Sequence, residues 1–312
     1  MRALVKLGEG PGNLQVLEVP EPVPGPGEVK VRVAFCGVCG TDLRIAAGRY
    51  HMKPPVVLGH EVSGWVEAVG PGVTGVVPGD PVCCETIVGQ CGVCPRCREG
   101  RPQLCPSHLG MGTRRDGGFA EYVVVPEANA YPLPRGITLE EGALVEPLAC
   151  AVRAVRRGRE PSPGSKVLVT GPGPIGLLVT RLCALAGATV AVTGLSRDGH
   201  RLKKAADFAA SYSCNVEDPG SANALERITG GEGFDTVYEC AGGDGRALAT
   251  ALALVRRGGT VVQVGVIDGE PALPLGVVVE KEISLLGTKS QTPDDWLEAL
   301  DLIADGRVAL KP

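Results

Sequence analysis

The sequence lacks three features that would place it in large classes of protein. No apolar run approaches the roughly 18 residues that a membrane-spanning helix requires, and residues 1–6 have the pattern of a strand rather than of a secretion signal. Basic residues are not in excess, since 31 Lys and Arg face 35 Asp and Glu. A net charge of −4 disfavours nucleic acid and anionic membranes as partners. Internal repeats and low-complexity tracts are also missing.

The composition is that of a globular protein with two domains. A chain of 312 residues is long for one hydrophobic core, and 44% hydrophobic residues with 21% charged residues are typical of folded rather than disordered chains. A chain this large does not need a disulfide scaffold, although it has 12 cysteines. We therefore expect a cytoplasmic protein whose cysteines are reduced or bind metal.

The two parts of the chain differ in texture. Residues 1–150 contain short β-branched runs at 29–35, 64–69 and 119–125, separated by Gly and Pro, which predicts a compact β-rich domain. From residue 151, apolar strands alternate with helices, which predicts βαβ units and a parallel sheet covered on both faces. The strand candidates are 166–170, 189–193, 236–238, 260–264 and 283–286, and the helix candidates are 175–186, 198–210, 221–229, 244–256 and 294–304.

The strongest single motif is a cluster of four cysteines, at Cys91, Cys94, Cys97 and Cys105. Two-residue gaps between the first three are typical of thiolates that hold one tetrahedral Zn²⁺. The surrounding segment is polar and has too few apolar residues to fold without the metal. Because all four positions are filled by protein, we predict a structural zinc and no place for substrate.

A second set of metal-type residues lies upstream of the cluster. Cys39 and His60 supply a thiolate and an imidazole. A catalytic zinc takes three protein ligands and keeps one position open for water or substrate. We predict Glu146 as the third ligand, with Glu61 binding directly or standing just behind the metal.

Two other cysteines lie near enough in the sequence motifs to be considered as ligands of this metal. Cys150 is the alternative third ligand, although its apolar neighbours favour a packed core thiol. Cys36 forms a CxxC pair with Cys39, but the alternation of side chains along a strand favours a packed neighbour instead of a ligand.

A glycine loop at residues 171–176 predicts a dinucleotide site. The spacing Gly171, Gly173, Gly176 follows an apolar strand and opens a helix that begins with Pro174 and Ile175. In this context the glycines permit a tight turn and a close approach of pyrophosphate to the helix N-terminus, where unpaired N–H groups favour anions.

The end of the next strand decides between NADP and NAD. A carboxylate there would accept the ribose hydroxyls of NAD, but the expected position is Gly194. Ser196 and Arg197 follow it, and their hydroxyl and guanidinium suit a 2′-phosphate, with Arg201 able to assist. We predict that NADP is preferred, and NAD remains possible if Asp198 supplies the carboxylate.

These motifs occur together in one known family. The chain resembles the zinc-containing medium-chain alcohol dehydrogenases, and within them the branch of polyol, sorbitol and threonine dehydrogenases, over essentially its whole length. The landmarks, in the family's order, are residues 39–42, 59–61, the four cysteines, 117–122, 146–148 and the glycine loop.

The resemblance implies a fold and roles for particular residues. It implies a GroES-like catalytic domain over residues 1–150, to which residues 288–312 return as a shortened segment. It also implies a Rossmann domain over residues 151–287 with strand order 3-2-1-4-5-6. The active site would lie between the two domains. A glutamate is typically the third ligand in this branch, which supports Glu146. Thr41 would hydrogen-bond the reacting alcohol, Asp42 would orient His60, and Val264 and Val266 would line the nicotinamide.

The chain departs from the family pattern at two further places. Arg44 stands where relatives often have a histidine that passes a proton outward, and its pKa is too high for that role, so a water chain or His51 must serve. Residues 208–211 read Phe-Ala-Ala-Ser where the family usually has Gly-Ala-Asp. We expect a different local turn there within the same fold.

The predicted function is zinc-dependent hydride transfer between an alcohol and NAD(P). Two zinc ions per subunit are expected, one catalytic and one structural. The pocket is expected to be polar and to suit a secondary alcohol, polyol or sugar-type substrate, with lining residues Arg44, Tyr50, His51, Met111 and Arg114. The alternatives are a zinc-free quinone or enone reductase of the same superfamily and a non-catalytic NADP-binding relative. Family resemblance also implies a homodimer or homotetramer formed through the edge strand near residues 283–286.

Overall fold

The computed structural model describes residues 1–310, which form two compact units. Unit 1 comprises residues 1–146 and the segment that starts at Thr292, and unit 2 comprises Pro147–Gln291. The sequence had placed these divisions after residues 150 and 287. Among the described residues, no helix combines the length and the apolar character needed to cross a bilayer.

Sixteen strands are found in the described part of the chain. In unit 1 they are β1 (Arg2–Lys6), β2 (Leu14–Glu18), β3 (Glu28–Gly37), β4 (Val56–Val57), β5 (Glu61–Val69), β6 (Pro81–Cys84), β7 (Ile87–Gly89), β8 (Leu109–Gly110), β9 (Tyr122–Pro126) and β10 (Ala130–Pro132). In unit 2 they are β11 (Lys166–Thr170), β12 (Thr189–Gly194), β13 (Tyr212–Asn215), β14 (Phe234–Glu239), β15 (Val255–Gln263) and β16 (Ser284–Gly287).

The helices connect and flank these strands. They are α1 (Gly40–Ala46), α2 (Pro95–Arg98), α3 (Leu139–Ala143), α4 (Val145–Arg157), α5 (Pro174–Leu185), α6 (Gly199–Lys204), α7 (Ser221–Thr229), α8 (Arg246–Leu254), α9 (Gly276–Glu280) and α10 (Pro293–Ala304). Short 3₁₀ turns occur at 102–104, 127–129, 196–198 and 205–208.

Unit 1 is built on antiparallel sheets. Its largest sheet has the order β10-β6-β5-β3-β9, and its core is a cluster of buried, mostly β-branched side chains from these strands, including Val29, Val31, Val62 and Val82. Smaller sheets have the orders β2-β1-β4 and β7-β8. Burial alternates along β9, whereas β5 and β6 have consecutive buried residues, and the β-branched side chains of these strands form the core as predicted.

The last helix belongs to unit 1. Thr292 caps α10 by accepting a hydrogen bond from the Asp295 N–H, and the Asp295 carboxylate accepts one from the Thr292 N–H at 2.8 Å. Trp296 on this helix is fully buried, and its ring centre lies 5.7 Å from that of Tyr131 on β10. An aromatic contact of this kind gives α10 a fixed place on the sheet of unit 1.

Unit 2 has one parallel sheet of six strands, in the order β13-β12-β11-β14-β15-β16. This is the order 3-2-1-4-5-6 of a Rossmann fold, and the predicted combination of a GroES-like and a Rossmann fold is confirmed. The order reverses between β11 and β14, so the crevice for a ligand lies beyond the carboxyl ends of these two strands.

Several local predictions differ from the structure. The helix expected over 198–210 is α6 followed by a 3₁₀ turn that ends at Ala209, a non-glycine residue with a φ of +62°. The helix expected over 244–256 ends at Leu254, because Val255 already pairs with Phe234 in the sheet. Strand β13 and helix α4 were not predicted, since short exposed strands and helices with scattered arginines give weak periodic signals.

Candidate metal centres and cofactor site

The four cysteines converge in unit 1 on the segment between β7 and β8. Their sulfur atoms lie within 4.8 Å of one another. Individual separations are 4.0 Å for Cys91 and Cys97, 3.5 Å for Cys94 and Cys97, and 3.6 Å for Cys105 and Cys91. Four sulfurs bound tetrahedrally at about 2.3 Å from one Zn²⁺ lie about 3.8 Å apart. The donor set and its spacing therefore fit a structural zinc.

Backbone N–H groups point at these sulfurs. The N–H of Cys94 donates to the sulfur of Cys91 at 3.3 Å, and the N–H of Cys91 donates to the sulfur of Cys105 at 3.5 Å. Hydrogen bonds from the N–H groups of Val93 and Cys94 lower the pKa of Cys91 to about 6. Stabilised thiolate is the form that binds zinc, so the backbone is arranged for the metal.

A second group of donors converges elsewhere in unit 1. One ligand atom each of Cys39, His60 and Glu61 lie within 4.8 Å of one another, and this group and the four cysteines are the two such clusters among residues 1–310. Cys39 is the N-cap of α1, His60 directly precedes β5, and Glu61 is the first residue of β5. Sulfur, nitrogen and oxygen donors at this spacing fit a zinc with one open position.

Two glycines make room for this group. A Cβ at Gly37 would overlap a carboxylate oxygen of Glu61, whose backbone is paired with Gly37 across β3 and β5. Gly59 has a φ of +89°, and a Cβ there would lie 2.7 Å from the Phe119 ring and 2.8 Å from the sulfur of Cys36. Only glycine satisfies both positions: Gly37 leaves space for the Glu61 carboxylate, and Gly59 lets the chain pass Phe119 and Cys36 directly before His60.

Asp42 connects α1 with His60. One of its oxygens, Oδ2, accepts a hydrogen bond from the Cys39 N–H at 2.9 Å and so closes the N-terminus of α1. The other, Oδ1, lies 3.8 Å from Nδ1 of His60. Because Nδ1 faces Asp42, the Nε2 atom is the one that remains for a metal.

Burial changes the pKa of two of these donors, the Cys39 thiol and the Glu61 carboxyl. It raises the pKa of the Cys39 thiol, and hydrogen bonds from the N–H and hydroxyl of Thr41 act in the opposite direction. It also raises the pKa of the Glu61 carboxyl, against the attraction of His60. A divalent cation would reverse both shifts, since it stabilises the ionised forms of thiol and carboxyl.

The other candidates for this metal are not members of the converging group. Glu146 is buried in the first turn of α4, but its carboxylate is not part of the Cys39, His60 and Glu61 group. The Cys150 thiol donates a hydrogen bond to Oε1 of Gln291 at 3.3 Å. Cys36 packs against the core of unit 1, where burial raises its pKa. Glu61 is thus the carboxylate that converges with Cys39 and His60, and Glu146 stays a prediction as the third ligand.

The predicted pocket residues divide into two groups. Tyr50 lies close enough to Cys39, Arg44 and Arg114 for these charges to affect it, and burial raises the pKa of its phenol. His51 is exposed. Met111 is not available to a substrate, because its side chain is buried in the core of unit 1. The proximity of Tyr50 to Cys39 is a feature that sequence reasoning did not weigh.

The three glycines of the loop after β11 occupy distinct environments in unit 2. Gly171 has a φ of +91°, and a Cβ there would lie 2.8 Å from the backbone of Ala241. A Cβ at Gly176 would overlap the carbonyl oxygen of Gly171, whereas none of the surrounding atoms comes within 4 Å of one at Gly173. Gly173 is the N-cap of α5, and no side chain caps the N–H groups of the first turn of this helix. This arrangement fits a pyrophosphate that approaches Gly173.

The segment after β12 has no carboxylate at Gly194, where a Cβ would lie 3.0 Å from the ring of Pro172. The Asp198 side chain contacts its own segment: Oδ2 accepts a hydrogen bond from the Leu195 N–H at 3.1 Å. Its Oδ1 lies 3.6 Å from the Arg201 guanidinium. Arg197 is exposed. A carboxylate that the sequence analysis missed, Glu217, accepts a hydrogen bond from the Ser196 N–H at 2.8 Å, and hydrogen bonds from Ser196 lower the pKa of Glu217.

Comparisons with known proteins agree with this geometry. Residues 25–135 match the alcohol dehydrogenase GroES-like domain, and residues 174–305 match the zinc-binding dehydrogenase family. The chain is 40% identical to a sorbitol dehydrogenase of Halalkalibacterium halodurans, with 100% of this chain and 90% of the relative covered. It is 35% identical to a D-arabitol-phosphate dehydrogenase of Enterococcus avium, with 99% and 88% covered.

A solved structure supports the same relationship. A zinc-binding dehydrogenase of Sinorhizobium meliloti, solved with NADP bound, superimposes with a TM-score of 0.89 and is 33% identical, over 99% of this chain and 90% of that one. The similarity covers almost the whole of both proteins and therefore includes both units. The family predicted from the sequence is confirmed: this chain belongs to the zinc-containing alcohol dehydrogenases.

Proposed function

We propose that this protein is a zinc-dependent dehydrogenase that transfers hydride between a secondary alcohol of a polyol or sugar-type substrate and a nicotinamide dinucleotide. Unit 1 is its catalytic domain and unit 2 its dinucleotide-binding domain. The observation that carries the proposal is the convergence of Cys39, His60 and Glu61 on one position, in a chain that also has the glycine loop of a dinucleotide site. The sorbitol and arabitol-phosphate dehydrogenases among its relatives support a polyol substrate.

The residues of unit 1 perform the binding and proton steps. A zinc held by Cys39, His60 and Glu61 would lower the pKa of a bound hydroxyl towards neutrality. Thr41, whose hydroxyl lies at the Cys39 sulfur, accepts the proton of the substrate hydroxyl. Asp42 keeps His60 in the tautomer that leaves Nε2 to the metal.

The route by which the proton leaves involves Tyr50. A guanidinium such as that of Arg44 does not serve as a proton relay and His51 is exposed, whereas Tyr50 is half-buried and lies near Cys39. We infer that Tyr50 passes the proton from Thr41 towards solvent. A Tyr50→Phe variant should slow oxidation of the alcohol most at low pH, where hydroxide in solvent cannot replace the relay. An unchanged pH profile would exclude this role.

The pocket of unit 1 favours a polar substrate. Arg44 and Arg114 both act on Tyr50, and Arg114 forms no side-chain hydrogen bond or ion pair within residues 1–310. Polyols, and polyols that carry a phosphate, therefore suit this site better than aliphatic alcohols. Arg114→Ala should impair oxidation of a polyol phosphate more than of the free polyol. Arg115→Ala is the matched control, because Arg115 already pairs with Glu28 at 3.0 Å.

NADP is the proposed cofactor. The absence of an acid at Gly194, the inward turn of Asp198 and the exposed guanidinium of Arg197 support a 2′-phosphate at this position. Arg197→Ala should raise the KM for NADP several-fold and leave the KM for NAD unchanged. Equal effects on the two cofactors would refute the assignment. Glu217→Gln should favour NADP further, since the Glu217 carboxylate repels a phosphate near Ser196.

Two further properties belong to the proposal. We place the enzyme in the cytoplasm, where its free cysteines stay reduced. We also propose a homodimer or homotetramer that forms through β16, the edge strand of the unit 2 sheet, because its backbone and the partly exposed Leu285 are open to a second copy. Light scattering after size-exclusion chromatography tests this, and a monomeric mass would contradict it.

The decisive experiment removes the metal. The protein as isolated should contain two zinc ions per chain and should reduce NADP with a panel of polyols. Dialysis against a strong chelator should abolish turnover, and Zn²⁺ should restore it. Turnover that survives removal of all metal would instead indicate a zinc-free reductase, and cofactor binding without turnover on any alcohol would indicate a non-catalytic relative.

A further inference from the structure

A buried glutamate stands at the point where the strand order of unit 2 reverses. Glu239 is the last residue of β14, one of the two strands between which the order changes, and its side chain is fully buried. Ligands of open parallel sheets bind beyond the carboxyl ends of the strands at this point. Nothing in the roles assigned above uses this residue.

Glu239 joins the ends of neighbouring strands. Its Oε1 accepts hydrogen bonds from the N–H groups of Ala241 and Gly242 at 2.8 and 2.9 Å, and its Oε2 accepts one from the side-chain amide of Gln263, the last residue of β15. Its backbone carbonyl accepts from the N–H of Gly265 at 2.8 Å. The turns after β14 and β15 are therefore held by one residue.

The glycine loop is packed against the same turn. The backbone of Ala241 lies so close to Gly171 that a Cβ at Gly171 would be 2.8 Å from it, and a Cβ at Gly265 would overlap the backbone nitrogen of Gly242. Contacts this close transmit any displacement of the 241–242 turn to both the glycine loop and the segment 264–266. These are the two segments expected to hold the pyrophosphate and the nicotinamide.

The carboxylate of Glu239 has donors around it but no cation. Besides the two N–H groups and the amide, the hydroxyl of Thr170 lies 3.4 Å from Oε1. Within residues 1–310, Glu239 forms no ion pair with a Lys, Arg or His side chain. All of its hydrogen-bond partners are neutral donors, so no neighbouring cation compensates the carboxylate, and a cationic ligand in the adjoining crevice would be attracted to it.

The two redox forms of the cofactor differ by the charge of the nicotinamide ring, which is positive when oxidised and neutral when reduced. We propose that Glu239 is a positioning residue that holds the crevice at the carboxyl ends of β11, β14 and β15, and that its buried charge makes the protein favour the oxidised over the reduced nicotinamide. This inference rests on the proposed function, because it requires that unit 2 bind a nicotinamide dinucleotide.

The test measures binding rather than turnover. Dissociation constants of NADP⁺ and NADPH are determined by titration calorimetry for the zinc-loaded protein without alcohol, together with the melting temperature of the cofactor-free protein. Glu239→Gln keeps the size of the side chain and removes the charge. We expect the affinity for NADP⁺ to fall about tenfold relative to that for NADPH. Glu226→Gln, an exposed carboxylate on α7, is the matched control and should leave the ratio of affinities unchanged.

A second variant covers the case in which Glu239→Gln does not fold. Gln263→Lys places an ammonium beside the intact carboxylate and neutralises its charge, so the ratio of affinities should shift in the same direction. Equal weakening of both redox forms in these variants, or no change in either, would overturn the proposal, since a purely structural role would not separate the two forms. Failure of the unaltered protein to bind either form would instead refute the proposed function.

Discussion

The Nδ1 atom of His60 lies 3.8 Å from Oδ1 of Asp42, and neither atom has a hydrogen-bond partner within residues 1–310. The remaining oxygen of Asp42 caps α1 through the Cys39 N–H. One carboxylate thus orients two proposed zinc ligands, the sulfur of Cys39 through its backbone and the imidazole of His60 through its ring. Binding of zinc should draw Nδ1–H and Oδ1 into hydrogen-bond range, because a ligating imidazole needs this partner.

The first prediction concerns this residue. Asp42→Ala removes both contacts and should weaken the affinity of the catalytic site for zinc by about 10- to 100-fold. Asp42→Asn keeps an acceptor for the Cys39 N–H but loses the charge, and its effect should be smaller. The measurement is competition for zinc with a chelator, monitored by metal analysis.

A matched control is available for this prediction in unit 1. Glu141 closes the N-terminus of α3 in the same way that Asp42 closes α1, with its carboxylate accepting from the Thr138 N–H at 3.0 Å. Glu141→Gln should leave the zinc affinity unchanged. If Asp42→Ala and Glu141→Gln lowered the affinity for zinc equally, the effect would come from helix stability and not from orientation of His60.

The second prediction distinguishes Glu61 from Glu146 as the third ligand of the catalytic zinc. Because the carboxylate of Glu61 converges with Cys39 and His60, Glu61→Ala should reduce the zinc content from two ions per chain to one. Glu146→Ala should retain both ions, since its carboxylate is not in the converging group. Inductively coupled plasma mass spectrometry after gel filtration measures both. The reverse result would restore Glu146 as the third ligand.

The third prediction concerns the four-cysteine segment. Cys97→Ser should lose one zinc and free the segment between β7 and β8, because its few apolar side chains cannot fold it without the metal. Trypsin should then cleave after Arg96 and Arg98, and the zinc-bound segment should resist this cleavage. Cys214→Ser, a cysteine of unit 2 outside both metal clusters, is the control. Retention of two zinc ions and of trypsin resistance would contradict the prediction.

The fourth prediction is a dependence of stability on pH. Hydrogen bonds from the Gly25 N–H and from Arg115 lower the pKa of Glu28 in the folded protein. The ionised carboxylate therefore stabilises the fold above the ordinary glutamate pKa, and this stabilisation is lost as the pH falls through the lower, folded value. At pH 7, Glu28→Gln should lower the free energy of unfolding by about 0.5–1 kcal/mol.

The control for Glu28 is Glu9→Gln, an exposed residue of the same unit. Denaturant unfolding is measured for the unaltered protein, Glu28→Gln and Glu9→Gln. Glu28→Gln should have a lower free energy of unfolding at neutral pH, and this difference should disappear in acid. A cost that persisted unchanged at low pH would show that packing of the side chain, and not its charge, matters.

The fifth prediction concerns the residue that ends the 3₁₀ turn after α6. Ala209 has a φ of +62°, a conformation that glycine adopts without strain and alanine does not. Ala209→Gly should stabilise unit 2 by about 1 kcal/mol. Ala206→Gly, in the same turn at negative φ, should destabilise it. Thermal unfolding compares the two, and a lower melting temperature for Ala209→Gly would refute the explanation.

Local patterns in the chain were sufficient for some of these features. The four cysteines lie within 15 consecutive positions, so their spacing alone predicts a shared metal. The glycine loop predicts its own environment, because a tight turn between strand and helix admits few other residues. Alternation of strands and helices likewise predicted the parallel sheet, whereas its strand order was implied by the family resemblance.

The donors of the second metal site depend on contacts between distant segments. Glu61 reaches Cys39 because β5 pairs with β3, and Gly37 on β3 leaves space for its carboxylate. The family resemblance favours Glu146 as the third ligand, which stays a prediction. Met111 was expected in the pocket, but it packs in the core. No pattern in the sequence indicates a role for Glu239, because its hydrogen-bond partners belong to strand ends that are adjacent only in the folded sheet.

The sequence by itself determined which chemistry this protein can perform, because thiolates at fixed spacing and glycines at a strand–helix junction are local properties of the chain. Only the tertiary structure decided that the Glu61 carboxylate converges with Cys39 and His60, and that Glu239 lies buried where the strand order reverses. The physical reason is strand pairing: it sets which residues face each other across a sheet, and no short window of sequence contains both partners.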